Sequence, residues 1–195
     1  MKKLILTCLG LGMLTATSFA QMRFGGEVGL NISNVNISPS TGTTLKSAMG
    51  ARIGAIADFS ITDAISIQPG VMFSMLGYKD DAGTNSLNYI QIPININYKF
   101  EVGPGKLFLG LTPYFGYAMS GKNSDGSSVT FGSNPTDIKA IDFGVGVNAG
   151  YELPMGLLFR AGYDYGMGNL TNISGATINN TNIHISVGYL FGGSN

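Results

Sequence analysis

The stretch 87-LNYIQIPININYKF-100 decides the fold. Isoleucine stands at 90, 92, 94 and 96, followed by Tyr98 and Phe100, while Tyr89, Gln91, Pro93, Asn95, Asn97 and Lys99 alternate with them. Alternation with period two marks a strand with one apolar and one mostly polar face. Outward from this stretch the same period recurs in eight runs after Gln21: about 22–33, 48–61, 64–78, 87–101, 106–120, 138–152, 157–168 and 181–192. The connections near 62–63, 101–105 and 153–156 are tight and rich in Gly, Pro or Asp, whereas those near 34–47, 79–86, 121–137 and 169–180 are longer and polar. Three short turns then fall at one end of the assembly and four mobile loops at the other. This pattern predicts an all-β, eight-stranded antiparallel up-and-down barrel.

Side-chain size decides which face meets lipid. The apolar parity carries Phe24, Phe59, Phe73, Tyr98, Phe100, Phe115, Tyr117, Phe143, Tyr151, Phe159, Tyr163, Tyr165, Tyr189 and Phe191. An eight-stranded interior is only just wide enough for side chains to fill it, so these rings belong outside. The opposite parity is crowded with glycine, for example Gly25, Gly29, Gly54, Gly110, Gly144, Gly146, Gly150, Gly162 and Gly188. A soluble calycin-like barrel would instead show Lys, Glu and Thr on that face. Charged residues make up 11% of the chain, against about a quarter in soluble proteins. The barrel is therefore expected to be transmembrane, with rings near strand ends forming aromatic girdles.

Residues 1–20, MKKLILTCLGLGMLTATSFA, read as a signal peptide: Lys2 and Lys3, an apolar run from Leu4 to Leu14, and a small-x-small site ending at Ala20. The run is too short for a spanning helix, which takes roughly 20 residues. Residues 21–195 then form one membrane β-barrel domain. The only cysteine, Cys8, lies in the leader, and a single histidine remains, so no disulfide, metal site or other cofactor is expected. Without the two leader lysines, 9 of the 11 basic residues stand against 11 acidic ones, and no basic patch suits nucleic acid.

The same parity sends Arg23, Glu27, Arg52, Asp58, Lys99, Asp142, Arg160 and Asp164 inward, with Tyr78, Tyr89 and Tyr114. Charges in a narrow, low-dielectric interior must pair or hydrogen-bond. Four basic and four acidic groups predict a salt-bridged plug in preference to an ion path. Pro93 falls on the inward face, and Pro69 and Pro113 face lipid. With a turn centred near 103–104, Pro93 pairs close to Pro113, and two missing donors predict a bulge across 91–95 and 111–115.

Five stretches, YIQIPININYKF, GLTPYFGY, IDFGVGVNAGYEL, YDYGMGNLTNI and the closing VGYLF, resemble in order the PorT-type outer membrane β-barrel family. Met167 stands where the family has leucine, a volume-conserving change. The resemblance spans about residues 22–192 and implies that 21–195 is an outer membrane β-barrel domain located in the Gram-negative outer membrane. One branch of the family supports export of other proteins, and most members have no assigned activity. The ending GYLF also resembles the aromatic-ended signal read by the outer-membrane assembly machinery, although GGSN follows it here.

One catalytic arrangement needs weighing. His184 and Ser186 share the inward face of the last strand, and a loop centred near 174 sets Asp164 across from His184. Ser, His and Asp together are the equipment of acyl transfer. The pair also resembles the His-x-Ser of outer-membrane lipid A deacylases, which implies a lipid A-modifying acyl hydrolase. Those enzymes present the pair to lipid, however, and the parity here turns it inward, which favours a polar cross-strand network. The expectation is a non-enzymatic barrel surrounded by outer membrane lipids. Its outer loops, with Asp80, Asp81, Asn123 and Asp125 among their exposed residues, are where a protein partner would bind. An accessory barrel of a secretion or surface-display system is the alternative.

Overall fold

The structure, a computed structural model, describes residues 22–39 and 45–192. The expected leader, 1–20, lies outside the described residues. Eight strands follow one another: β1 (Met22–Ser38), β2 (Lys46–Ser60), β3 (Ile65–Asp80), β4 (Gly83–Val102), β5 (Gly105–Lys122), β6 (Ile141–Glu152), β7 (Leu157–Gly166) and β8 (Thr177–Phe191). Each pairs antiparallel with its neighbour in sequence, and β8 returns to β1, closing the barrel. Among the described residues no helix is long and apolar enough to cross a membrane.

The faces follow the alternation. Ile92, Ile94, Ile96, Tyr98 and Phe100 of β4 are exposed, while Gln91, Pro93, Asn95, Asn97 and Lys99 are buried. Phe24 pairs with Phe191 and Tyr151 with Phe159 toward the short-turn end; Phe115 pairs with Phe143 toward the other. Two aromatic belts therefore flank a band of Ile, Val and Leu, the outer surface of a lipid-embedded barrel. Glycine lets the narrow interior fill. A Cβ at Gly110 would sit 2.8 Å from the Ile96 backbone carbonyl oxygen and 2.7 Å from the Asn148 side-chain nitrogen, so a larger residue would force the wall of β4 and the lumen side chains to shift. Gly103 and Gly156, with φ of +63° and +89°, supply the left-handed backbone of two of the three tight turns at the short-turn end.

The interior also holds an apolar cluster, Ile56, Met72, Leu158 and Leu190, where the sequence suggested only small and polar residues. Leu158 pairs with Gly188, and Leu190 with Gly25, so each fills volume its glycine partner leaves.

The long-loop end differs from expectation. Asp81 and Ala82 alone join β3 to β4, so 79–86 is a tight hairpin rather than a loop. Strand β4 runs for 20 residues, well beyond the roughly 9–11 that span a bilayer, and the hairpin continues past the apolar band. The longer described connections are 123–140 and 167–176.

No bulge accompanies the prolines. Pro93 pairs with Tyr114, next to Pro113 as expected, but the register is the same on both sides: Pro69 with Ile94 and Met72 with Gln91, then Pro93 with Tyr114 and Ile96 with Leu111. Pro113 points outward, and the wall absorbs the missing donors without slipping. The register shifts fall elsewhere, at Asn88/Tyr89 in β4 and between Ser47 and Arg52 in β2, both toward the long-loop end.

Candidate functional site: the charged lumen

The inward face of the strands gathers the charges into layers. Nearest the short turns, Arg23 of β1 reaches Asp58 of β2 and Glu152 of β6. Lys99 of β4 lies 3.1 Å from Asp58 and 3.3 Å from Glu152. Each carboxylate thus touches both cations, a closed ring of two positive and two negative groups. Gln68 adds a donor to Asp58 at 3.3 Å. Glu152 escaped the sequence reading because it closes its strand beside a turn; the parity of Gly144, Gly146 and Gly150 assigns it inward.

The middle layer is built around Glu27. Arg160 of β7 lies 3.2 Å from it, Arg52 of β2 lies 3.9 Å away, and the Ser186 hydroxyl donates to it at 2.8 Å. Arg160 also donates to Gln68 and rests over the Phe108 ring, 5.3 Å from its centroid. Such an arrangement adds a cation–π contact to the ion pair. A chain of neutral groups runs beside it: Asn148 donates to Thr112 at 2.9 Å, and Thr112 to Asn95 at 2.9 Å.

The upper layer is different. Asp142, fully buried, accepts from Asn180 at 2.8 Å and from the Tyr114 hydroxyl at 3.3 Å, and forms no ion pair among the described residues. Asp164 accepts from Asn182 at 3.3 Å and lies 3.7 Å from His184 Nε2. Above this layer Leu76, Leu87, Tyr89 and Ala118 form an apolar cluster inside the mouth, and Val129, Phe131, Ile138 and Ala140 pack onto it. Asn172 of the β7–β8 connection donates to the carbonyls of Gly132, Asn134 and Asp137, tying the two long connections together.

All eight charged residues taken from the sequence line this interior and are buried, Asp164 among them. Tyr89 and Tyr114 are buried too, while Tyr78 near the rim is half-buried. The Ser–His–Asp set is brought into one region but not into a relay. The loop is centred one position earlier than expected, so Asp164 pairs with Asn182 and His184 with Gly162. The Ser186 hydroxyl donates its hydrogen bond to Glu27 rather than to His184, and His184 Nδ1 has no hydrogen-bond partner among the described residues. A nucleophile needs its base within hydrogen-bond reach. This serine is committed to a carboxylate that Arg160 and Arg52 already engage. No cluster of three or more His, Cys, Asp or Glu suited to a metal occurs among the described residues.

Similar structures are outer membrane barrels. Neisserial surface protein A, NspA, superposes with a TM-score of 0.53 at 20% identity, covering 85% of this chain and 96% of its own. OprG from Pseudomonas aeruginosa gives 0.49 at 13% identity, with 87% and 94% covered. Ail, the attachment invasion locus protein of Yersinia pestis, gives 0.46 at 12%, with 88% and 99% covered. At such identities the likeness concerns the fold alone. None of the curated proteins matches the sequence. The family described as outer membrane protein beta-barrel domain matches residues 19–172, and with that span of the sequence and a closed, apolar-faced barrel the chain belongs to this family of the Gram-negative outer membrane.

Proposed function

We propose that the protein is a non-enzymatic outer membrane barrel whose lumen is plugged and whose action is exerted at its outer rim. The long-loop end faces the outside and the three tight turns face the periplasm. The observation that carries this reading is the stack of filled layers: a neutral ring of four charges, the Glu27 group, the Asp142 and Asp164 network, and an apolar seal from the β5–β6 connection. A conducting path would require water between these layers. Purified barrel in planar bilayers is expected to give no unitary current steps; regular open-channel steps would refute the plug.

The Ser186–Glu27 bond supports the non-enzymatic reading. Acyl release from lipopolysaccharide should stay at the same background for wild type and Ser186→Ala. Release by wild type that the substitution abolishes would establish an acyl hydrolase.

With the transport route filled, function falls to what the rim offers: the β3–β4 hairpin, with exposed Asp81, and the tied connections, with exposed Asn123 and Asp125. A protein partner would bind there. The five PorT-type stretches favour a second reading within the same fold, an accessory barrel of a secretion or display system. Gentle solubilisation and co-purification separate the two: a stoichiometric complex with other envelope export proteins supports the accessory barrel.

A further inference from the structure

Where the β5–β6 connection folds back against the wall, it leaves a groove of about 540 Å³ on the membrane side of the barrel. Tyr117, Ile141 and Phe143 form its floor, Phe131 one wall, and Lys139 its edge. Tyr117, Ile141 and Phe143 are among the last lipid-facing residues of β5 and β6; they are about half exposed, and the groove therefore opens from the apolar band. Lys139 stands where that band gives way to the polar connection. Among the described residues its ammonium enters no ion pair.

The groove is preformed. The Lys139 amide donates to the Leu170 carbonyl at 2.8 Å, Ile138 to Thr130 at 3.0 Å, and Gly132 to Ile138 at 3.1 Å. On the other side the amides of Met167 and Gly168 both donate to the Phe143 carbonyl, at 2.8 and 3.1 Å. Ile138 and Phe131 are further held by the apolar seal of the mouth. Walls fixed in this way lose little freedom when something fills the space between them, so a ligand gains most of the contact energy it makes.

We propose that this groove is a binding site for an outer-leaflet lipid, which lays an acyl chain along Tyr117, Ile141 and Phe143 and pairs a headgroup phosphate with Lys139. The charge pattern selects this occupant. An apolar cleft that opens sideways into hydrocarbon is filled from the membrane, and a lone cation at its polar edge matches an anionic headgroup. The proposal rests on the long-loop end facing outward, which puts the groove in the leaflet built of phosphorylated glycolipid.

The full-length mature barrel, purified in detergent and checked by its unheated electrophoretic shift, can be titrated with diphosphoryl lipid A and with dephosphorylated lipid A, and bound lipid counted by native mass spectrometry. One diphosphoryl molecule per barrel is expected, about tenfold tighter than the dephosphorylated lipid, the scale of one charge-assisted contact. Lys139→Gln should abolish that preference, and Lys106→Gln, at the short-turn end, should leave it intact. Equal retention of the two lipids by wild type, or equal losses in the two variants, overturns the site; the wild-type comparison holds even if a variant fails to fold. Orientation is read separately by labelling Ser127→Cys with an impermeant maleimide on intact cells. Labelling together with no phosphate preference condemns the groove alone. Absence of labelling removes the outward orientation and the proposal with it.

Discussion

Both halves of the lumen bury carboxylates and satisfy them in opposite ways. Toward the short turns, Arg23, Lys99, Asp58 and Glu152 close a ring in which every charge has two partners of opposite sign. Toward the long connections, Asp142 is equally buried but is held by Asn180 and Tyr114, neutral donors on β8 and β5. Burial alone therefore does not set how much a charged group matters. A buried ion whose partners are themselves ions cannot be removed singly, because the remainder is left unpaired in low dielectric. A carboxylate served by amide and hydroxyl leaves behind groups that can find other partners.

The largest effect is expected from the lower ring. Asp58→Ala strands Arg23 and Lys99 against Glu152 alone, and should cost about 3–5 kcal/mol in urea unfolding from bilayers, the range for breaking a buried pair. A loss below about 1 kcal/mol would mean that water enters the lower lumen and screens the survivors.

The seal above the upper half should come next. Leu76 is 4% exposed beneath Val129, Phe131, Ile138 and Ala140. Leu76→Ala should cost about 2–3 kcal/mol, toward the low end for a buried leucine because the connection can settle into the space. Hydrogen exchange of the 129–140 amides should quicken while the β1–β2 amides stay protected. Uniform acceleration would show that the seal and wall open as one unit.

Asp142→Asn tests the comparison most directly. It keeps the size and an acceptor for Asn180 and Tyr114, so the change should be about 1 kcal/mol or less. Asp58→Asn, with the same chemistry in the ring, should approach the cost of Asp58→Ala. Equal losses at positions 58 and 142 would erase the distinction between the halves.

The sequence spoke clearly wherever lipid imposes a rule. Within the apolar band each residue must face either hydrocarbon or lumen, so period two in 87–100 revealed strand, orientation and the inward placement of Lys99. Past the band, both faces meet water and the alternation fades while the ladder continues. Asn34, Asn36 and Asn85 therefore read as loop, yet they pair in β1 and β4. The same fading hid the Asp81–Ala82 turn. Within the site, parity sent Ser186 and Glu27 inward but could not pair them, because β1 and β8 are far apart in sequence and meet only on closure. The seal was illegible for a related reason: Val129 and Phe131 lie in a connection without period, and only its folding back onto Leu76 and Tyr89 gives them a core.

The smallest effect lies outside the lumen and marks the comparison's boundary. Asp125, fully exposed in the β5–β6 connection, accepts from the Ser127 hydroxyl at 2.6 Å and the Ser127 amide at 2.9 Å. The hydroxyl above all, then the amide, holds its carboxyl below the usual carboxylate range. A carboxyl whose folded value lies below its unfolded one, about 3.9, contributes stability that is complete above that value and fades as pH falls through the folded one. The turn should therefore be indifferent to pH near neutrality and loosen only in acid. In a carboxyl titration followed by NMR, Ser127→Ala should raise the Asp125 midpoint toward the ordinary value. The urea midpoint of the barrel should not move, since both partners lie within three residues of one another on solvated backbone. A shift of the barrel midpoint would mean that this connection transmits strain to the wall through its seal, and that the upper lumen owes its tolerance to the loop above it rather than to its neutral donors.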